Sequence, residues 1–413
     1  MKSALCNNCS TSFESCYPKA MKRTFKYRLY PTKAQQTKLR QALVRCCFVY
    51  NQTLAARRQA WEQEKKSLSL FDTQKLLVCW KQEKPELKQV HSQVLQETQK
   101  RLDRAFQAFF RRVKAGEKPG YPRFRGSNGY DSLTYPQYGN GVLLNGSMLW
   151  LSKIGTIRVQ LHRPLEGRIK TVTIRRTAGK WYACFSCEVV EKLLPPSQEA
   201  VGADLGLQTF ATLSNGETIK RQRWMKQDAK DIARLQRKKE KYTIGSLQRR
   251  KAVIALNHAY QRSKNRRQDF LHQQSRKLVN RYGYLFFEDL DIRKMQQGND
   301  PKINRKALNR NISDVAWRRF LQHIAYKAES AGRVLLLVNP QETTQRCSRC
   351  NSIVPKSLDE RVHHCPYCGG LILDRDLNAA LNILALGLQS IGTATQLRPV
   401  EAPGFSPGDV GRG

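Results

Sequence analysis

Acidic residues are scarce in this chain, and long apolar runs are absent. Its 413 residues hold 33 Asp plus Glu against 73 Lys plus Arg, a formal charge of +40. A chain so unbalanced repels itself unless a polyanion is nearby, and the cations are spread along its length rather than gathered in one tail. Nucleic acid is therefore the expected partner. The longest apolar run, Val334 to Val338, cannot span a bilayer, and residues 1 to 20 contain no stretch of signal-peptide type. These absences argue against a membrane or secreted protein and for a soluble, intracellular one. In a reducing compartment the 12 cysteines should not form a disulfide scaffold, so regular Cys spacing reads as metal ligation. No internal repeat is visible. With 40% hydrophobic residues, the chain can bury the cores of two or more domains.

The first 20 residues differ in character from the remainder of the chain, and Met21 is a candidate start. Phe25, Tyr27 and Leu29 alternate with Lys26 and Arg28, the period of a half-buried strand, and Pro31 ends it. Thr32 and Gln35 have capping-box spacing. Leu39, Leu43, Val44, Phe48, Val49 and Leu54 then recur at helical intervals, and helical patterning broken near Ser67 and Pro85 runs to about Val113. From Gly116 to Gly126 the composition turns to Gly, Pro and aromatics, followed by short strands to about Val190, which together read as a β domain interrupted by the helices. Leu193 to Gln198 reads as a linker. From Val201 the pattern is α/β: strand Val201-Gly-Ala-Asp, a hairpin turn at Ser214-Asn215-Gly216, a long basic helical region, strand Tyr284 to Glu288, helix, and strand Arg333 to Val338. The tail from Ile391 to Gly413 has little to bury and is expected to be disordered.

Two C-x-x-C pairs, Cys347/Cys350 and Cys365/Cys368, stand 14 residues apart. Each such turn aims two thiolates at one centre, so the four predict a closed, structural Zn2+ site of ribbon type. His363 and His364 adjoin the second pair as substitute ligands. Cys184 and Cys187 share the spacing but lie in a strand pattern, where residues three apart face opposite sides. Cys6, Cys9 and Cys16 remain unassigned.

Carboxylates sit where apolar strands end: Asp204 after Val201-Gly-Ala, Glu288 after Tyr284-Leu-Phe-Phe, and Asp374 and Asp376 just beyond the cysteines. Acids so placed suffer desolvation and mutual repulsion unless a cation gathers them. Magnesium would serve, because two-metal hydrolysis of a phosphodiester needs only oxygen ligands. Helix caps and solvated turns are the competing explanation for each acid taken singly. Between Lys226 and Arg281 lie 17 Lys or Arg and four acids, interleaved with Leu235, Leu247, Ile254, Leu256, Phe270, Leu271 and Leu278, so one face should pack while the other meets phosphates without reading sequence. Tyr121, Arg123, Phe124 and Arg125 either stack on unpaired bases or belong to a core.

The chain resembles the TnpB (OrfB) proteins of bacterial insertion sequences, relatives of the type V CRISPR nucleases. The likeness runs from about Met21 to Leu384. It is carried by Lys26-Tyr-Arg-Leu-Tyr-Pro-Thr, Cys47-Phe-Val-Tyr-Asn, Gly120-Tyr-Pro-Arg-Phe, Gly202-Ala-Asp-Leu-Gly, Asp269-Phe-Leu-His, Glu288-Asp-Leu, Cys347-Ser-Arg-Cys and Asp374-Arg-Asp-Leu-Asn-Ala-Ala-Leu-Asn-Ile. The resemblance implies an α/β RNase H-like (RuvC) nuclease domain over 196–345 and 373–390 with an inserted four-cysteine zinc ribbon at 346–372. It further implies an N-terminal β-barrel wedge domain, 21–31 and 115–195, interrupted by a helical recognition domain at 32–114. Its acidic triad falls on Asp204, Glu288 and Asp376 as Mg2+ ligands, with Asp374 the weaker candidate. Residues 1–20 have no counterpart, and Asn351 replaces the usual Gly after the first knuckle, a left-handed position that Asn tolerates.

The implied activity is an RNA-guided DNA endonuclease of the bacterial cytoplasm, nucleoid-associated on DNA, with a noncoding guide RNA and target DNA as partners and no membrane. Two alternatives remain: an RNA- and DNA-binding transposition regulator with an inactive nuclease site, and a transposase acting directly in strand transfer. No His-x-His pair of a tyrosine transposase is present, which disfavours the latter. Oligomeric state is not legible.

Overall fold

The computed structural model describes residues 20–126, 129–190, 193–297, 304–341, 343–357, 360–392 and 398–399. Cys6, Cys9, Cys16 and the rest of the extension expected before Met21, Ala20 excepted, lie outside them, as does most of the tail. The chain divides into two compact units, 1–191 and 192–413. No helix among the described residues is long and apolar enough to cross a membrane.

The first unit opens with β1 (Ala20–Tyr30), which buries Phe25, Tyr27 and Leu29 and leaves Lys26 outside, its ammonium 4.1 Å from the Tyr182 ring centre. Pro31 follows the strand. The reciprocal Thr32 and Gln35 bonds, 3.0 and 3.3 Å, close a capping box and start α1 (Lys33–Glu64). Lys65 in the left-handed conformation ends it, and a second box at Ser69 and Asp72 starts α2 (Leu70–Glu83). After a 3-10 turn at Pro85–Gln89 comes α3 (Ser92–Lys114). Six strands complete the unit: β2 (Ser132–Tyr135), β3 (Val142–Asn145), β4 (Met148–Leu151), β5 (Gly155–Gln160), β6 (Arg168–Thr177) and β7 (Lys180–Val190). The antiparallel order is β2-β6-β7-β1-β5-β4-β3, so the first strand slots between two made more than a hundred residues later. One apolar core joins the sheet's inner face to the helices. Val44, expected on the packed face of α1, is instead exposed, because the buried stripe passes through Leu39, Leu43, Cys46, Val49 and Tyr50.

The second unit is built on a sheet with the path β10-β9-β8-β11-β12. Its strands are β8 (Glu199–Asp204), β9 (Thr209–Leu213), β10 (Thr218–Lys220), β11 (Tyr284–Glu288) and β12 (Val334–Val338). β8, β9 and β10 form an antiparallel meander whose second turn is Ser214-Asn215-Gly216, while β8, β11 and β12 are parallel. Parallel neighbours need crossovers. These are α4 (Trp224–Lys241) with α5 (Leu247–Arg281), and then α6 (Ile292–Gln297), α7 (Arg305–Val315) and α8 (Trp317–Ala331). A small hairpin, β13 (Val362–Cys365) with β14 (Leu371–Asp374), precedes α9 (Arg375–Ile391). In the tail, Arg398–Pro399 pairs with β8 as the two-residue β15.

Both faces of the sheet are covered. Val201 and Ala203 of β8 face the core shared with α5 and α8, and Ala200 faces that of α9 with Phe286, Val338, Ile383 and Leu384. Gly202 lies on the α9 side. A Cβ there would meet the Ala380 carbonyl oxygen at 2.2 Å and the Leu384 nitrogen at 2.5 Å, both backbone atoms that cannot swing away. Gly387 meets the Phe286 ring as tightly, so α9 rests directly on β8 and β11 through paired absences of side chain. Gly202→Ala is therefore expected to destabilise the protein by about 1–3 kcal/mol, as overpacking does. Gly120→Ala, where an added Cβ meets nothing within 4 Å, should leave the melting temperature unchanged. Calorimetry of both variants checks this.

Candidate nuclease and metal centre

Asp204 and Glu288 are the last residues of adjacent parallel strands. Phe287 pairs with Ala203, so the two carboxyls leave the sheet side by side. They are 8% and 6% exposed. Asp376 reaches the same place from the first turn of α9. A Cβ added to Gly206, two residues past Asp204, would stand 3.9 Å from Asp376 Oδ2. Burial, then the charges of Glu288 and Asp376, push the Asp204 carboxyl up to about 8, against the opposing pull of Arg375. Burial also raises Glu288, countered by the Thr343 hydroxyl that donates to its Oε1.

The structure thus brings the charges of Glu288 and Asp376 to bear on Asp204, with that of Asp374 as a smaller contribution. The Asp374 carboxylate accepts the Asp376 and Leu377 amides at 2.9 and 3.0 Å, which is the work of a helix N-cap. Four further residues escaped the sequence reading. Arg375 donates to Asp376 Oδ1 at 3.1 Å, Thr343 contacts Glu288, and Asn378 and Asn382 of α9 grip the segment leading into the first knuckle. The i, i+4 spacing of two asparagines directly after Asp376 was the available signal.

The four cysteines converge. Cys347 and Cys368 sulfurs lie 3.7 Å apart, Cys350 and Cys365 sulfurs 3.5 Å apart, and all four lie within 4.8 Å of one another. Four thiols at this spacing fit a tetrahedral zinc with no open position. The Ser352 hydroxyl and amide pull the Cys350 thiol down, while desolvation and the neighbouring thiols push Cys368 up, so the four share their protons unevenly. Asn351 takes the left-handed conformation, φ 64°, as the glycine replacement requires. His363 is buried against Lys356 and lies outside the sulfur cluster, so it is not a substitute ligand. Among the described residues only the cysteines gather this tightly. Cys184 and Cys187 alternate along β7 as the strand reading expects.

The basic region is a hairpin of α4 and α5 rather than one helix, broken at 242–246. Leu256, Leu271 and Leu278 are buried, but Leu247 and Ile254, expected to pack, are exposed, since only a small cluster around Ile232, Leu256 and Ala259 joins the two helices. Tyr121 sets its edge on Phe106 and Phe109 yet remains half exposed, and Phe124 is exposed too, so this loop is no core.

Three family descriptions match the chain: "Helix-turn-helix domain" over 21–66, "Probable transposase" over 184–299 and "Cas12f1-like, TNB domain" over 317–383. A Streptomyces pristinaespiralis protein named "Putative RNA-guided DNA endonuclease" is 31% identical, over 92% of this chain and 92% of its own length. The chain belongs to the TnpB (OrfB) family. "Putative RNA-guided DNA endonuclease InsQ" of Escherichia coli strain K12 is 32% identical over 89% of this chain and 93% of its own. A solved structure described as the Cas12f1-sgRNA-target DNA complex shares the fold, with a TM-score of 0.55, 13% identity, and coverage of 88% of this chain and 98% of that one. Within 21–66 this TnpB chain forms a strand and one unbroken helix, α1, so the helix-turn-helix description does not fit its structure.

Purified protein should carry about one zinc per chain, and Cys365→Ser should lose it, as elemental analysis will show. The sign of a pH effect is fixed as well. Folded Asp204 keeps its proton up to about pH 8 and unfolded Asp204 only to about 4, so its stabilising contribution falls as pH rises between those values. In chelator, Asp204→Asn should gain melting temperature over wild type at pH 8 and lose that advantage near pH 4.

Proposed function

We propose that this protein is an RNA-guided DNA endonuclease that binds a noncoding guide RNA and hydrolyses target DNA with magnesium. The observation that carries the reading is the burial of Asp204 beside Glu288 and Asp376 at one end of a sheet, in a chain whose full-length relatives are named RNA-guided endonucleases. Two buried acids and a partly buried third, with one neighbouring guanidinium, are an arrangement that divalent cations relieve. The second unit is read as a RuvC-like nuclease of RNase H type, from the antiparallel meander joined to parallel β11 and β12 and from the helix laid across them. The first unit is read as the wedge barrel with its helical insertion.

Asp204, Glu288 and Asp376 would hold Mg2+. When bound, the ions would activate a water and stabilise the departing oxygen of the phosphodiester. The chain's own contributions are geometric. β8 and β11 present two carboxyls in fixed register, and α9 presents the third from above. Thr343 orients Glu288, while Arg375 occupies Asp376 Oδ1 and offsets the negative charge. Lysines and arginines along α4 and α5 offer phosphate contacts that add affinity without sequence preference, so base pairing with the guide would read sequence. Zinc at the four cysteines would hold structure only. The bacterial cytoplasm is the proposed location.

Alanine at Asp204, Glu288 or Asp376 should each lower cleavage of a guide-matched duplex by at least about a thousandfold while guide-RNA affinity stays at the wild-type value. Full cutting by all three variants would remove the nuclease assignment, and excision and joining of element ends by the protein alone would favour a transposase.

A further inference from the structure

Glu288 has a neighbour that neither its strand nor the triad accounts for. Thr343 follows β12 by five residues, is buried, and turns its hydroxyl to Glu288 Oε1. That hydroxyl has one proton and two acceptors in reach, the carboxylate and the Pro340 carbonyl at 3.2 Å. The charged acceptor takes it, because charge-assisted bonds are the stronger. Thr343 is itself held from the opposite side. Asn382 Nδ2 donates to the Thr343 carbonyl at 2.8 Å and to the Arg346 carbonyl at 2.6 Å, and Asn378 donates to the same Arg346 carbonyl at 2.7 Å while its Oδ1 accepts the Ser348 amide at 2.9 Å. Asn378 and Asn382 are both buried, on the helix whose first turn carries Asp376.

We propose that Thr343 is a positioning residue that fixes Glu288 relative to Asp376, with Asn382 as the anchor that ties its backbone to α9. The inference rests on the nuclease reading above and adds a residue to it. Glu288 ends β11 and Asp376 lies in the first turn of α9, and the bonds running Glu288–Thr343–Asn382 connect the two elements through a segment whose other end is Cys347. Without the hydroxyl, Glu288 loses the side-chain hydrogen bond that fixes its carboxylate and is free to rotate away from the geometry two divalent ions require. The four-cysteine ribbon thereby gains a second part in the fold: it clamps the far end of the segment that orients an acid.

The test uses the full chain, as wild type and as Thr343→Ser, Thr343→Val and Glu288→Ala, with Mn2+ binding to the protein alone read by electron paramagnetic resonance and Mg2+ dependence of cleavage read on the guide-RNA complex. Thr343→Val should weaken Mn2+ binding and raise the Mg2+ concentration for half-maximal cutting by about tenfold or more, the usual cost of losing an outer partner of a metal ligand. Guide-RNA affinity and zinc content should stay at wild-type values. Thr343→Ser, which keeps the hydroxyl and drops the methyl, should restore both readouts to within about threefold of wild type. Wild-type Mn2+ affinity in Thr343→Val, a Thr343→Ser variant as impaired as Thr343→Val, or loss of zinc in Thr343→Val would each overturn the assignment. If Glu288→Ala itself leaves cleavage and Mn2+ binding untouched, the nuclease reading has failed instead.

Discussion

The second unit depends on a helix lying closer to a sheet than side chains ordinarily permit. α9 touches β8 at Gly202 and β11 through Gly387, and any Cβ at either place would collide with backbone or with an aromatic ring. That approach lets Asp376, in the first turn of α9, act on Asp204 at the end of β8. Gathering three acids there opposes folding, since burial and like charge both disfavour ionised carboxylates. The packing of α9 supplies what holds them, and the raised Asp204 carboxyl is the mark of the resulting tension. Such stored electrostatic strain is what a cation-binding site would use.

Around this constraint the rest of the unit forms a frame. Parallel pairing of β8 with β11 sets two acids in register, and a hydroxyl from the segment after β12 meets the second of them. The cysteine ribbon sits between β12 and α9 in the chain, and two asparagines bind its approach segment to the helix. Zinc there would stabilise the segment that orients an acid, which gives a physical reason for inserting a ribbon just ahead of the last acidic motif.

Much of this was legible in the sequence because it depends on short-range pattern. Alternation at Phe25, Tyr27 and Leu29 gave β1, the Thr32 and Gln35 spacing gave the start of α1, and the paired C-x-x-C turns gave the sulfur cluster. Asp204 and Glu288 showed because each closes an apolar run. The choice between Asp374 and Asp376 lay beyond spacing and came only through resemblance; in the structure Asp374 caps α9. Thr343 was invisible, because a hydroxyl 55 positions from its acceptor leaves no local pattern, whereas Asn382 offered only its i, i+4 spacing from Asn378. Leu247 and Ile254 misled for the converse reason: helical periodicity marks a face that can pack, and at these positions the hairpin provides nothing for them to pack against.

The central claim concerns three carboxylates sharing divalent ions, and anomalous diffraction from crystals of the protein soaked in Mn2+ measures that directly. The account predicts two peaks about 3.5–4 Å apart, each within ligand distance of Asp204 and one other of the three acids. Crystals saturated with Mn2+ that show no peak among Asp204, Glu288 and Asp376 would contradict it.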